Sequence, residues 1–299
     1  MRRLLLALLI AAPVEAQQVA DTSFAPPVAR PAYKEGLGPL IVLDEAHQNF
    51  HTVNGRYTAF AKLARRDGYR VVANTRKFSA TSLKGARILV IANALHPRNA
   101  NGNWRLPTPS AFDAGEIAAV RDWVRRGGSL LLISDHMPFP GAMGHLGEAF
   151  GVHMMNGFAM QHYGNDSLGN GIFVHTRRSG SLTIHPITRG IDSVKVFTGQ
   201  GFRIDHGAPI LVIKSDVVML MPTVAWQFSD STPRTSARGL LQGAAITYGA
   251  GRVAVFAEAA MFSAQVTGPN RAPMGMNDPA AAQNPRFLLN TLHWLSGRP

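Results

Sequence analysis

The sequence predicts an α/β fold built on a doubly wound, mostly parallel sheet that carries a β-rich insertion. Three observations predict it. Four short runs, 40–43, 88–92, 130–133 and 253–257, are continuously apolar rather than alternating, the pattern of strands covered on both faces. Amphipathic segments lie between the runs, so residues 40–135 read strand, helix, strand, strand, helix, strand, the order of parallel strands joined by crossover helices. Residues 152–240 break instead into short alternating pieces, at 171–175, 182–185, 194–197, 210–213 and 217–220, as antiparallel strands do.

In chain order, residues 1–16 read as an export signal: Arg2 and Arg3, an apolar run over 4–12, then Val14-Glu15-Ala16 as a cleavage site. The run is far shorter than the roughly 20 residues that cross a bilayer, which predicts a cleaved signal, no permanent membrane anchor and a periplasmic or secreted location. Residues 17–36, with Pro26, Pro27, Pro31 and Gly36, read as an extended leader, and 37–299 as a single domain. Tyr57, Phe60, Ala61 and Ala64 form the apolar face of a first helix that stops at Asp67-Gly68. Ile117, Val120, Trp123 and Val124 form that of a second, with Ser110 to Asp113 as a capping box and Gly127-Gly128 as its end. Residues 243–248 and 252–257 flank Gly249-Ala250-Gly251 as a hairpin. The stretch 264–283 reads as a long loop, and the last helix takes Asn284 as cap, Pro285 in its first turn and Gly297 as its stop.

Thirty Lys plus Arg against 18 Asp plus Glu give a net charge of +12, which raises nucleic acid as a partner. The bases are scattered pairs such as Arg65-Arg66 and Arg125-Arg126, at predicted helix ends where cations complement the dipole, so no specific nucleic-acid partner is expected. The absence of cysteine excludes disulfides, thiolate metal sites and thiol nucleophiles together. No Gly-x-Ser-x-Gly elbow stands at any strand end, and no Gly-x-Gly-x-x-Gly turn or phosphate loop follows the first strand.

In an open parallel sheet, ligands bind beyond the carboxyl ends of the strands. There the chain places Asp44, Glu45, His47, Asn49 and His51 after the first apolar run, Asn93 after the second, Asp135 and His136 after the third, and Glu258 after the fourth. Carboxylates and imidazoles at several strand ends predict one shared polar site, with Asp135, His136 and Glu258 as catalytic candidates and the others as ligand-binding candidates. Phe50, Trp104 and Phe139 could add apolar faces. The cofactor is left unassigned: oxygen and nitrogen donors suit a divalent metal, but Gln48 stands where a zinc-protease helix needs Glu, so a metal is not the favoured expectation.

The phrases 127–136 (Gly127-Gly128-Ser129 through Asp135-His136) and 251–258 (Gly251-Arg252 through Glu258), in this order of elements, resemble the class I glutamine amidotransferase-like superfamily, whose sheet is flavodoxin-like. More closely they resemble its exported branch of ThuA-like proteins, to which the phrase His185 to Ile191 is also similar. The resemblance spans most of 37–298 and implies a cysteine after the central strand and a histidine and glutamate after a late strand. Here those positions hold Asp135-His136 and Glu258-Ala259-Ala260, which closes the thioester route to glutamine hydrolysis.

Three functions remain open on these grounds: binding of a polar small molecule or carbohydrate at the strand ends, hydrolysis by the same Asp/Glu/His cluster with or without a metal, and a non-catalytic scaffold meeting a protein through 152–240. Oligomeric state is left open.

Overall fold

A computed structural model describes residues 18–163 and 167–298; the expected export signal lies outside the described residues. The strands of its central sheet are, in chain order, β1 (Leu40–Asp44), β2 (Arg70–Asn74), β3 (Ile88–Ala92), β4 (Ser129–Ile133), β5 (Val152–Met154), β6 (Phe202–Ile204), β7 (Ala208–Val212), β8 (Leu241–Tyr248) and β9 (Gly251–Phe256). The helices are α1 (Thr58–Arg66), α2 (Ala114–Arg125), α3 (Phe139–Glu148) and α4 (Asn284–Ser296).

Five strands pair in parallel in the order β2-β1-β3-β4-β9, and antiparallel β8, β6, β5 and β7 continue the sheet beyond β9. That order reverses direction between β1 and β3, the switch point of a flavodoxin-like sheet. Every residue of β3 and β4 is buried, because α1 and α4 pack on one face and α2 and α3 on the other. A strand enclosed on both sides has no polar face to alternate with, which is why these runs were readable as sequence.

Several details differ from expectation. The capping box of α2 is built by Asp113 and Glu116, three residues beyond the expected box of Ser110 to Asp113. Asn284 does not cap α4; it is the first helical residue, and its side chain bonds the backbone of Lys195 and Met261 instead. The expected loop 264–283 contains a hairpin, Ala264–Thr267 against Ala272–Gly275, whose first strand also pairs with Val19–Ala20 of the leader. Residues 152–240 divide: β5, β6 and β7 extend the central sheet, while Phe173–Thr176 with Ser193–Val196, and Phe158–Tyr163 with Val217–Leu220 and Arg234–Ser236, pair outside it. His185 sets a turn, its ring accepting from the Ile187 amide.

Candidate functional site at the carboxyl rim

The carboxyl rim holds two polar clusters rather than one hollow. The first sits at the end of β1. Its loop bends instead of forming a helix, so the four-residue spacing of His47 and His51 does not stack them, and they enter different clusters. His47 lies between two buried carboxylates: Nδ1 meets Asp44 at 2.9 Å and Nε2 meets Glu116 at 2.8 Å. Phe78 and Phe112 pack on its ring, at 4.8 and 4.7 Å between centroids. Burial works against the imidazolium, yet the hydrogen bonds and charges of Asp44 and Glu116 outweigh it and raise the His47 pKa. Glu116 also accepts the amides of Phe78 and Asp113, so one carboxyl ties three segments together. Each polar atom of this group that chemistry would use is already engaged within the protein.

Two neighbouring candidates are spent on the same loop. Glu45 accepts the Val53 amide at 2.7 Å, and Asn49 accepts the His47 amide at 3.0 Å. Neither joins the groups described next.

The second cluster is centred on Asn93, which leaves β3 with a left-handed φ of 51° that asparagine tolerates better than most residues. Its Oδ1 accepts the Asp135 amide at 2.8 Å, and its Nδ2 lies 3.3 Å from Nδ1 of His51. With Nδ1 accepting, the His51 proton belongs on Nε2, a buried atom that has no partner. Burial, assisted by Arg56, lowers the His51 pKa to about 3, so its ring is neutral across the physiological range.

Asp135 follows β4 and accepts the His136 amide through Oδ1. Burial raises its pKa against the opposing pull of His136, its amide and Asn93. Glu258, beyond β9, is fully enclosed; burial and the facing charge of Asp135 raise its pKa well above the ordinary value. Its two oxygens also accept the amides of Ala260 and Met261, so its carboxyl caps the turn that follows β9. Tyr57, whose hydroxyl donates to the Ala259 carbonyl, faces both acids, and its pKa is raised by burial and by their charges. Asp135 and Glu258 thus form a buried acid pair in which both carboxyls also accept backbone amides.

His136 donates from Nδ1 to the Met137 carbonyl at 2.7 Å, which leaves Nε2 as an acceptor. It is set among aromatic rings: stacked on Phe158 at 4.5 Å, edge-on to Trp226 at 4.7 Å, and flanked by Trp104 at 5.9 Å. Trp104 in turn meets Phe50 and Phe139. Trp104 and Trp226 stand on separate loops that are joined by the Arg105–Val224 bridge and by the Ala225 amide donating to the Trp104 carbonyl. Trp226 is 49% exposed and holds φ at 66°, a left-handed conformation that costs a side-chain-bearing residue roughly 1–2 kcal/mol. Asp135 and His136 are buried beneath these rings, each with 8% of its surface exposed.

Sequence reasoning assembled Asn93, His51, Asp135, His136 and Glu258, and missed Glu116, Tyr57, Phe158 and Trp226. Tyr57 is read from sequence only as part of the first helix face, and Glu116 is not singled out. Their signal was a buried-side carboxylate in the first turn of α2 and a hydroxyl on an otherwise apolar face; Trp226 gave none. Among the described residues no three His, Asp or Glu side chains converge as a metal-ligand set.

No protein-family model and no curated protein matches the chain. Among solved structures, the mmIFT52 N-terminal domain superimposes on 86% of this chain and 97% of its own, at 14% identity and a TM-score of 0.58. A structure described as a cytoplasmic protein of Salmonella typhimurium LT2 covers 86% and 99% at 14% identity and 0.49, and a putative ThuA-like protein of Bacteroides uniformis covers 91% and 94% at 11% identity and 0.47. The first of these likenesses shows a shared fold.

Proposed function

We propose that the carboxyl rim binds a polar small molecule of the carbohydrate class, through Asp135, His136 and the Asn93–His51 pair, between walls formed by Trp104 and Trp226. The observation that carries this reading is the pair of tryptophans set against His136, whose Nε2 remains an acceptor, beside the carboxyl of Asp135. Pyranose rings present apolar C–H faces and a rim of hydroxyls, so they need flat aromatic surfaces beside donors and acceptors. The reading extends to an exported protein of the amidotransferase-like superfamily, related to its ThuA-like branch, located in the periplasm or secreted. What supports that extension is the pair of phrases at 127–136 and 251–258 together with the amino-terminal signal pattern. Among the described residues no helix is long and apolar enough to cross a membrane. No specific nucleic-acid partner is proposed.

A second reading, hydrolysis, is favoured by one observation: Asp135 and Glu258 face each other with raised pKa values, as a carboxyl kept ready to donate a proton requires. In that reading Asp135 is the acid, its proton favoured by burial, and Glu258 lies beside it with its own proton favoured by burial and by the Asp135 charge.

A melting screen of the wild type and Asp135→Asn against neutral and acidic sugars tests the first reading. We expect at least one sugar to raise the melting temperature of the wild type and to quench tryptophan emission, with both effects lost in the variant. If no sugar distinguishes the two proteins, the binding reading is withdrawn. Release of reducing ends by wild type but not Asp135→Asn would establish the second.

A further inference from the structure

We propose that the ligand is a linear oligosaccharide rather than a single sugar, lying from Asp135 and His136 across Trp226 and Phe228 into a distal cleft; this rests on the carbohydrate reading above. The aromatic surface continues past the acid. Trp226 contacts Phe228 at 6.4 Å between centroids, and both rings rest on buried Phe158, at 4.6 and 5.2 Å. Phe228 then forms the near wall of a cleft of about 440 Å³ lined also by Leu168, Ser229, Asp230 and Arg234. The rim is therefore a path with two polar ends: Asp135 and His136 at one, and Ser229, Asp230 and Arg234 at the other, with tryptophan and phenylalanine faces between.

One sugar bound at Asp135 would leave the outer face of Trp226, Phe228 and Leu168 bare, and contiguous apolar surface bordered by polar groups marks an interaction site. A chain of sugars presents that alternation: apolar ring faces along its length and hydroxyls at every unit. The segment carrying these residues is held in shape before any ligand arrives. Met221 donates its amide to Pro233, Ala225 to Trp104, and the Ser229 amide to the Thr232 hydroxyl at 2.8 Å. A platform ordered in advance avoids the entropy of fixing a loop on binding, which weakly interacting hydroxyl ligands need most.

The test is a chain-length series, from monosaccharide to hexasaccharide, of cello-, malto- and chitooligosaccharides, titrated calorimetrically on the full-length protein. The expected result is affinity that rises by about tenfold or more from the shortest binder to the longest in at least one series. Asp230→Ala and Arg234→Ala, both at exposed positions in the distal cleft, should abolish that rise while leaving the affinity of the shortest binder within about twofold. A sugar that binds equally well at every length, or a rise that survives both substitutions, overturns the extended path and leaves the carbohydrate reading standing. Absence of binding by every member of every series overturns both.

Discussion

The two clusters at the carboxyl rim contain the same residue types and make opposite use of them. At the end of β1, Asp44, His47 and Glu116 satisfy one another, and aromatic rings seal them from solvent. Beyond β3 and β4, His51 keeps an unpaired ring nitrogen, Asp135 is held against its preferred ionisation, and His136 opens on two tryptophans. A strand-end carboxylate or histidine is therefore not evidence of chemistry in itself. What separates a fastener from a site is hydrogen-bonding capacity left over after the protein has satisfied its own groups, because each unsatisfied buried group has a cost that folding alone gives no reason to bear.

The largest effect expected from this contrast is the loss of the fastener. Glu116→Ala removes partners from His47 and from the amides of Phe78 and Asp113, and breaking a buried ion pair from one side typically costs about 3–5 kcal/mol. Urea unfolding followed by circular dichroism measures it; a loss below about 1 kcal/mol would mean the first cluster is no more structural than the second. The next effect comes from the two histidines, which respond to acid in opposite directions. His51 titrates near 3 when folded and near 6.5 when unfolded, so the unfolded state binds the extra proton between those values and stability falls as pH drops through that window. The full displacement is worth on the order of a few kcal/mol. His51→Gln should flatten that acid limb, and an unchanged limb would refute the buried neutral imidazole. His47 has the raised pKa, so its contribution is complete below the ordinary histidine value and is lost as pH rises through the folded one. The stability gap between wild type and His47→Gln should accordingly narrow from mildly acidic to alkaline pH.

The contrast also explains what the sequence could and could not convey. The parallel strands were legible because enclosure on two faces leaves an uninterrupted apolar run, as in Ile88 to Ala92. The helix faces were legible for the matching reason at a period of 3.6. The hairpin within 264–283 was not, since Gln265, Thr267, Pro273 and Gly275 follow no apolar alternation, and the two strands are held by pairing with each other and, through Gln265 and Val266, with the leader. The rim itself followed from the rule that strands deliver their last residues to one edge. The division into two clusters depended on long-range partners: Glu116 reaches His47 across 69 residues, and Trp226 reaches His136 across 90. No local pattern encodes such a meeting. Composition excluded thiol chemistry outright, whereas the aromatic mouth came from loops whose spacing carries no signal.

The smallest expected effect is the sharpest discriminator. Asp135→Asn keeps an oxygen to accept the His136 amide and removes only the charge, so its stability should lie within about 1 kcal/mol of the wild type, against several for Glu116→Ala. Its sign should depend on pH. Because burial raises the Asp135 pKa, the folded state binds its proton more tightly than the unfolded state, and wild-type stability declines as pH rises from the ordinary carboxylate value of 3.8 through the raised one. The amide variant has no such decline, so it should gain on the wild type across that interval and match or exceed it at neutral pH. A residue that costs stability in its functional form, and whose replacement is tolerated by the fold, is retained for something other than folding. If Asp135→Asn proved as damaging as Glu116→Ala at every pH, the second cluster would be a fastener as well, and the rim would contain no site.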